Sequence, residues 1–313
     1  MRRLTVTLLM LFFAPGLARS AEFTLEQQEG GVRVLLDGEL FTEYLTSAGP
    51  KPYLWPIIGP SGKAMTRAYP MKEVAGEATD HPHHRSLWFT HGAVNGVDFW
   101  LEGEKGGKIV HREFSSLTAD PNASFVAKND WMGPDGKKVC SDERRLAFST
   151  VGDSRVIDFD LKLIASEGPV TLGDTKEGSF GVRVPTSMDV DQKEGRPGGK
   201  IINSAGQTNA GAWGKPAAWV DYHGPVEGET LGVAILNHPA SFRYPTHWHV
   251  RTYGLFAANP FGLHEFHESD QYDGTHHIEA NGSITLRYRV IFHRGDEQQG
   301  KIAEAFETYS REP

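Results

Sequence analysis

Cysteine is almost missing: the 313 residues contain one, Cys140. That excludes an intramolecular disulfide and a cysteine-built zinc cluster. Positive charge is in deficit too. Lys and Arg total 32 against 40 Asp and Glu, a formal net charge of −8 with neutral histidine. A nucleic-acid binder carries the opposite balance, a basic face. Beyond residue 20 no run is long and apolar enough to cross a bilayer as a helix. Helical periodicity is scarce, and there is no internal repeat or low-complexity tract. The 35 Gly and 18 Pro follow no collagen period and read as turns. What remains is 39% hydrophobic and 23% charged, enough apolar material for a core and not the composition of a disordered chain.

The N-terminus reads as an address. Arg2 and Arg3 precede an apolar run from Leu8 to Phe13, and Ala18-Arg19-Ser20 offers small residues at a cleavage site before Ala21. This is the layout of a secretory signal peptide over 1–20. The expectation is therefore an exported protein, periplasmic or extracellular, with no membrane insertion after cleavage. Losing Arg2, Arg3 and Arg19 leaves the remainder more acidic still.

From residue 21 to 313 the chain reads as one large antiparallel β-sandwich domain, all-β, with a short C-terminal helix. Ile157, Phe159, Leu161 and Leu163 alternate with Asp158, Asp160 and Lys162, and Ile284, Leu286, Tyr288, Val290 and Phe292 with Thr285, Arg287 and Arg289. Val32, Val34 and Leu36 repeat the pattern. A period of two is the strand signature. Asp37-Gly38, Asp135-Gly136, Gly152-Asp153 and Asn281-Gly282 supply the positive φ that tight turns need. The helix is expected over 297–309, where Ile302, Phe306 and Tyr309 share a face.

Polar chemistry concentrates in four segments. In the first, residues 80–100, His81, His83, His84 and His91 lie within eleven residues, with Arg85, Trp88, Asp98 and Trp100 around them. Imidazole both ligates transition metals and carries protons near pH 7. Structural histidines bonded to backbone are the plain alternative. In the second, His247 and His249 flank Trp248 and share a strand face; a pair of surface histidines would look the same. In the third, Glu177 sits among glycines ahead of Arg183 and can serve as a base, as a ligand, or as a solvated turn carboxylate. In the fourth, Asp221 and His223 share a strand face beside Trp219, with His238 and Asn259 further on. The run His264, Glu265, His267, Glu268 reads as a solvated loop. Tryptophan mixed with Asp, Asn, Arg and His suits a sugar ring, although filling a core is the commoner use of Trp.

The stretches DHPHHRSLWF, NGVDFW, GDTKEGSFGVRV, WVDYHG and YGLFAANPFG resemble the secreted bacterial family labelled PmoA-like, over about residues 25–310. The label points to a membrane-bound methane-oxidising copper enzyme. This sequence lacks the several spanning helices such a subunit requires, so the label gives no functional lead. The resemblance implies a fold like the galactose mutarotase group. Members of that group bind and process carbohydrates with a histidine and a carboxylate on the concave face.

Three functions fit. The first is an exported carbohydrate-active enzyme (epimerase, lyase or hydrolase). His84 or His249 is its general acid and Glu177 or Asp221 its general base. Its sugar or glycoside substrate is contacted by His81, His83, Arg85, Trp88, Asp98, Trp100, Arg183, Trp219, His238, His247 and Asn259. The second is a metal-dependent hydrolase or lyase with His81, His83, His247 and His249 as candidate ligands of a divalent ion. The third is a non-catalytic carbohydrate-binding protein. No cofactor is expected apart from that divalent metal, and no nucleic-acid partner.

Overall fold

The structure is a computed structural model that describes residues 21–119, 123–192 and 198–313. The expected signal peptide, 1–20, lies outside the described residues. The strands in chain order are β1 (Phe23–Gln28), β2 (Gly31–Leu36), β3 (Glu39–Leu45), β4 (Tyr53–Ile57), β5 (Leu87–His91), β6 (Lys108–Thr118), β7 (Ser124–Met132), β8 (Lys138–Val151) and β9 (Ser154–Ile164). They continue with β10 (Val170–Leu172), β11 (Gly178–Arg183), β12 (Lys200–Asn203), β13 (Trp219–Val226), β14 (Glu229–Asn237), β15 (His247–Val250), β16 (Leu255–Asn259), β17 (His276–Ile278) and β18 (Ser283–Arg294). Two short α-helices, α1 (Leu263–His267) and α2 (Ile302–Tyr309), and single 3₁₀ turns at Thr186–Met188 and Asn209–Ala212 accompany them.

The strands form two eight-stranded sheets, β1-β2-β3-β4-β5-β11-β16-β15 and β12-β13-β14-β18-β9-β8-β7-β6, with β10 and β17 paired apart. The large sheets pair antiparallel throughout, β5 with β11 and β9 with β18 included. They pack face to face. Phe41 of β3 meets Phe148 of β8 edge-on at 6.1 Å between ring centroids, and Phe180 of β11 stacks on Tyr288 of β18 at 4.7 Å. The alternation seen in sequence is the cause: Ile157, Phe159, Leu161 and Leu163, like Leu286, Tyr288, Val290 and Phe292, point into the core between the sheets. The fold is the expected all-β antiparallel sandwich.

The turn residues act as their chemistry dictates. Asp37 and Gly38 both take positive φ (54° and 83°) between β2 and β3, the geometry of a two-residue hairpin turn. Asn281 also takes positive φ (64°), but it links β17 to β18, which lie in different sheets.

Each outer face carries its own apolar cluster. Tyr53, Trp88, Trp100, Leu255 and Ala257 form one on the first sheet. Val156, Ala234, Leu236 and Ile291 form another on the second, under Ile302 and Tyr309 of α2. The helix starts at Ile302, later than the expected 297, because Lys301 sits in the left-handed region at φ 51°, which a right-handed helix cannot include. The run 264–268 is helical up to His267 rather than a loop, while His264, His267 and Glu268 are exposed as expected. Leu263–His267 coils into α1, which turns Phe266 inward and buries it.

Candidate active site

The outer face of the first sheet gathers His81, His83, His84, His247 and His249. On β5, Leu87 and Phe89 belong to the core and Trp88 to the outer cluster; on β16, Phe256 and Ala258 face in while Leu255 and Ala257 face out. Trp88 pairs in register with Gly181 of β11, where an added Cβ would sit 2.8 Å from the indole. Glycine there lets the ring lie flat on the sheet.

A column of rings rises from this floor. His84 stacks on Trp88 at 5.4 Å, His81 on His84 at 4.8 Å, and Tyr253 on His81 at 5.4 Å, with interplanar angles of 17°, 6° and 7°. His83 stands edge-on to His84 at 4.4 Å, and Trp100 flanks Trp88 at 5.4 Å.

Two buried arginines fix the base of the column. Arg67 and Arg183 both donate to Oδ1 of Asp80, Arg183 through Nη2 at 2.9 Å. Oδ2 of Asp80 accepts from Nδ1 of His81 at 2.8 Å. A carboxylate on Nδ1 fixes the imidazole tautomer, so neutral His81 presents Nε2 as an acceptor. The side chain is 40% exposed. Arg183 also donates through Nη1 to Nδ1 of His84 at 3.1 Å, which places the His84 proton on Nε2. Burial, then the neighbouring His83 and Arg183, push the His84 pKa far below the ordinary imidazole range. His84 is therefore a neutral hydrogen-bond donor and cannot hold the extra proton of a general acid, which corrects the expected role.

His249 donates from Nδ1 to the carbonyl of Lys176 at 2.8 Å, and burial pushes its pKa down to about 3. It too is neutral, with Nε2 as an acceptor, and not the expected acid. Burial lowers His83 and His247 to about 4. Glu177 moves the other way: burial raises its pKa against the pull of Lys176, whose Nζ lies 3.5 Å from Oε1. His249 feels His81, and Tyr253, which stacks on His81, feels Glu177. Glu177 in turn feels Asp98. His247 joins through Phe266 of α1, which stacks on it at 5.9 Å, and Glu265 of α1 bonds Nζ of Lys176 at 2.8 Å.

Several expected contact residues are engaged elsewhere. Arg85 forks onto Glu102 with two bonds of 2.7 Å, tethering the loop after β5. Arg183 is buried and acts through Asp80 and His84. Asn259 is buried, donates to the carbonyl of Thr175 at 2.8 Å and accepts from the Phe261 amide, so it holds the turn before Glu177. Trp88 and Trp100 are 1% and 0% exposed; they form the floor and offer no free ring face for stacking. Asp98 caps its own loop by accepting from the amides of Trp100 and Leu101.

Asp221, Trp219 and His238 are not at this face. β13 belongs to the second sheet, and the outward side of its alternation lies on the opposite outer face of the sandwich. Trp219 packs near α2, His238 bonds the carbonyl of Glu312 at 3.1 Å, and Asp221 bonds His223 and His293. The four proposed histidine ligands do not converge either. Among the described residues the group whose ligand atoms all lie within 4.8 Å of one another is Asp221, His223 and Glu297.

Four residues at the histidine face went unassigned in the sequence reading: Asp80, Arg67, Tyr253 and Asp189. Asp80 had a signal, its adjacency to His81. Asp189 had none; burial beside Arg183 and Asp80 pushes its pKa up to about 7.

The chain belongs to the family of unknown function DUF6807, whose model matches residues 31–307. The family name that matches is this one and not PmoA-like. No curated protein matches the chain in sequence. Similar solved structures include an alpha-galactosidase from Lactobacillus brevis, 11% identical with a TM-score of 0.41 over 88% of this chain. The Slr1438 protein from Synechocystis sp. PCC 6803 is 9% identical, with a TM-score of 0.33 over 91% of this chain and all of its own length. A polysaccharide lyase is 12% identical, with a TM-score of 0.30 over 90% of this chain. The chain spans 40% of the galactosidase and 33% of the lyase.

Proposed function

We propose that the protein is an exported carbohydrate-active enzyme that moves protons at the histidine face of the first sheet. The observation that carries this reading is the Asp80–His81 pair: two buried arginines hold the carboxylate, and the carboxylate holds an imidazole that stacks on Tyr253 and keeps Nε2 as an acceptor. His81 is the general base. Glu177, with its raised pKa, is the general acid. His84 and His249, 1% and 3% exposed, are neutral groups that build the face rather than contact the sugar. Tyr253 is the half-exposed ring of the column and the surface a sugar stacks on. The N-terminal layout of charge, apolar run and small residues supports export.

Epimerisation, β-elimination and hydrolysis all use such a pair. The test is a turnover screen over neutral and acidic glycosides with wild type, His81→Asn and Glu177→Gln. Turnover that both substitutions lower by about 10²–10⁴-fold is the expected result. A substrate whose turnover ignores both substitutions overturns the assignment. Binding without turnover, unchanged by either, moves the protein to the class of carbohydrate-binding proteins.

A further inference from the structure

On the second sheet's outer face, away from the histidine column, Asp221 is fully buried and bonded on both oxygens. Oδ1 accepts from Nδ1 of His223 and Oδ2 from Nε2 of His293, each at 2.6 Å. The His293 ring is clasped by two glycines. An added Cβ at Gly232 would lie 2.1 Å from its Cε1, and one at Gly300 would lie 2.5 Å from its Nδ1. Nδ1 of His293 donates to the carbonyl of Arg294 at 3.1 Å. With both nitrogens donating, His293 is an imidazolium, and it balances Asp221.

Glu297 is left over. Its side chain is 10% exposed, and Oε2 is buried without a hydrogen-bond partner. Among the described residues the basic groups within 4 Å of its carboxylate are Nδ1 of His223 at 3.7 Å from Oε2 and Nζ of Lys200 at 3.9 Å from Oε1, both beyond hydrogen-bond reach. A buried carboxylate oxygen aimed at an imidazole nitrogen and a second carboxylate is an electrostatic deficit that a cation fills.

We propose that Asp221 Oδ1, His223 Nδ1 and Glu297 Oε2 bind a divalent transition ion of the zinc type. One nitrogen and two carboxylate oxygens are a borderline donor set, suited to Zn²⁺ and its first-row neighbours and unlike the all-oxygen shell of Ca²⁺. One ligand atom from each of the three residues lies within 4.8 Å of the other two. Tetrahedral zinc donors at about 2.0–2.2 Å from the ion stand roughly 3.3–3.5 Å apart, so shifts of about an ångström complete the site. The ion replaces the proton on His223 Nδ1, which leaves to solvent. His293 positions Asp221. His223 lines an open cleft of about 480 Å³ with Lys200 and Thr230, which gives the ion a way in. Glu297 belongs to the segment that leads from β18 to α2, so the ion fastens the C-terminal helix to the sheet.

The experiment uses the full mature chain, without a histidine tag and stripped with a chelator, titrated with ZnCl₂ by calorimetry and followed by thermal unfolding. Expected are one equivalent of Zn²⁺ bound, a raised midpoint, and affinity at least about tenfold weaker in Glu297→Gln. His81→Asn keeps the same stoichiometry and affinity, which separates this site from the histidine face. Should Glu297→Gln not fold, His223→Asn takes its place. No stoichiometric binding by the wild type overturns the proposal. So does unchanged affinity in the Glu297 or His223 variant, or loss of the equivalent in His81→Asn.

Discussion

The two outer faces of the sandwich each hold a carboxylate against histidine, and they differ in what occupies the carboxylate's other oxygen. On the first sheet it is taken by two arginines, so Asp80 has one oxygen left for one imidazole and His81 keeps a free nitrogen. On the second sheet it is taken by a second imidazole, so each oxygen of Asp221 meets a histidine inside the protein. Exposure follows the same division: the Asp80 side chain is 42% exposed and that of Asp221 is 0%. A partly open pair with a free nitrogen is equipped to act on a ligand. A closed pair is equipped to hold structure together.

The sharpest way to break this contrast is to remove the carboxylate of the closed pair. Asp221→Ala leaves a buried imidazolium unpaired and should cost about 3–5 kcal/mol of stability, read from denaturant midpoints. A loss below about 1 kcal/mol would mean that the second pair is not structural. His81→Asn should do the reverse: a large fall in turnover with a change in stability of about 0.5 kcal/mol or less, as for other exposed positions. An unfolding midpoint that drops along with the rate would place His81 in the structural class.

Smaller effects sharpen the picture. Gly232→Ala drives a methyl into the His293 ring and should destabilise by about 1–3 kcal/mol through overpacking. Gly38→Ala has open space around its Cβ and a positive φ of 83°, so it should cost only the backbone strain of about 1 kcal/mol. Equal losses at the two positions would remove the clasp from the account.

A further difference depends on pH. Burial raises Asp189 from an ordinary 3.8 to about 7, so the folded state binds its proton more tightly than the unfolded one. Its stabilising contribution is full below about pH 4, falls as pH rises towards 7, and is flat above. Asp189→Asn should therefore gain midpoint on the wild type between pH 4 and 7 and hold that gain at pH 8. A difference independent of pH would show that Asp189 is ionised in the fold.

The strands and most turns were legible because alternation and Asx-Gly pairs are local properties. Sheet membership was not. Asp221 and His223 on β13 alternate as His247 and His249 do on β15, yet β13 pairs with β12 and β14 in one sheet and β15 pairs with β16 in the other. That partition is set by long-range pairing, and it removed Asp221, Trp219 and His238 from the histidine face. Tautomers were illegible for a similar reason. His84 and His249 looked like acids until Arg183 and the Lys176 carbonyl were seen on their Nδ1 atoms. The hidden role of α1 rested on Phe266, a single aromatic in a charged run, which was a signal available in the sequence.

The glycine clasp around His293 also bears on how the molecule is made. One jaw, Gly232, is in β14, and the other, Gly300, precedes α2 near the end of the chain. Between them lies β18, which bridges β14 and β9 in the middle of the second sheet. A ribosome synthesising this chain from the N-terminus releases β6 to β9 long before the strand they wait for. The central seam, its charged ring and the helix that covers it can assemble only after β18 and α2 have emerged, so the second sheet must stay open until then.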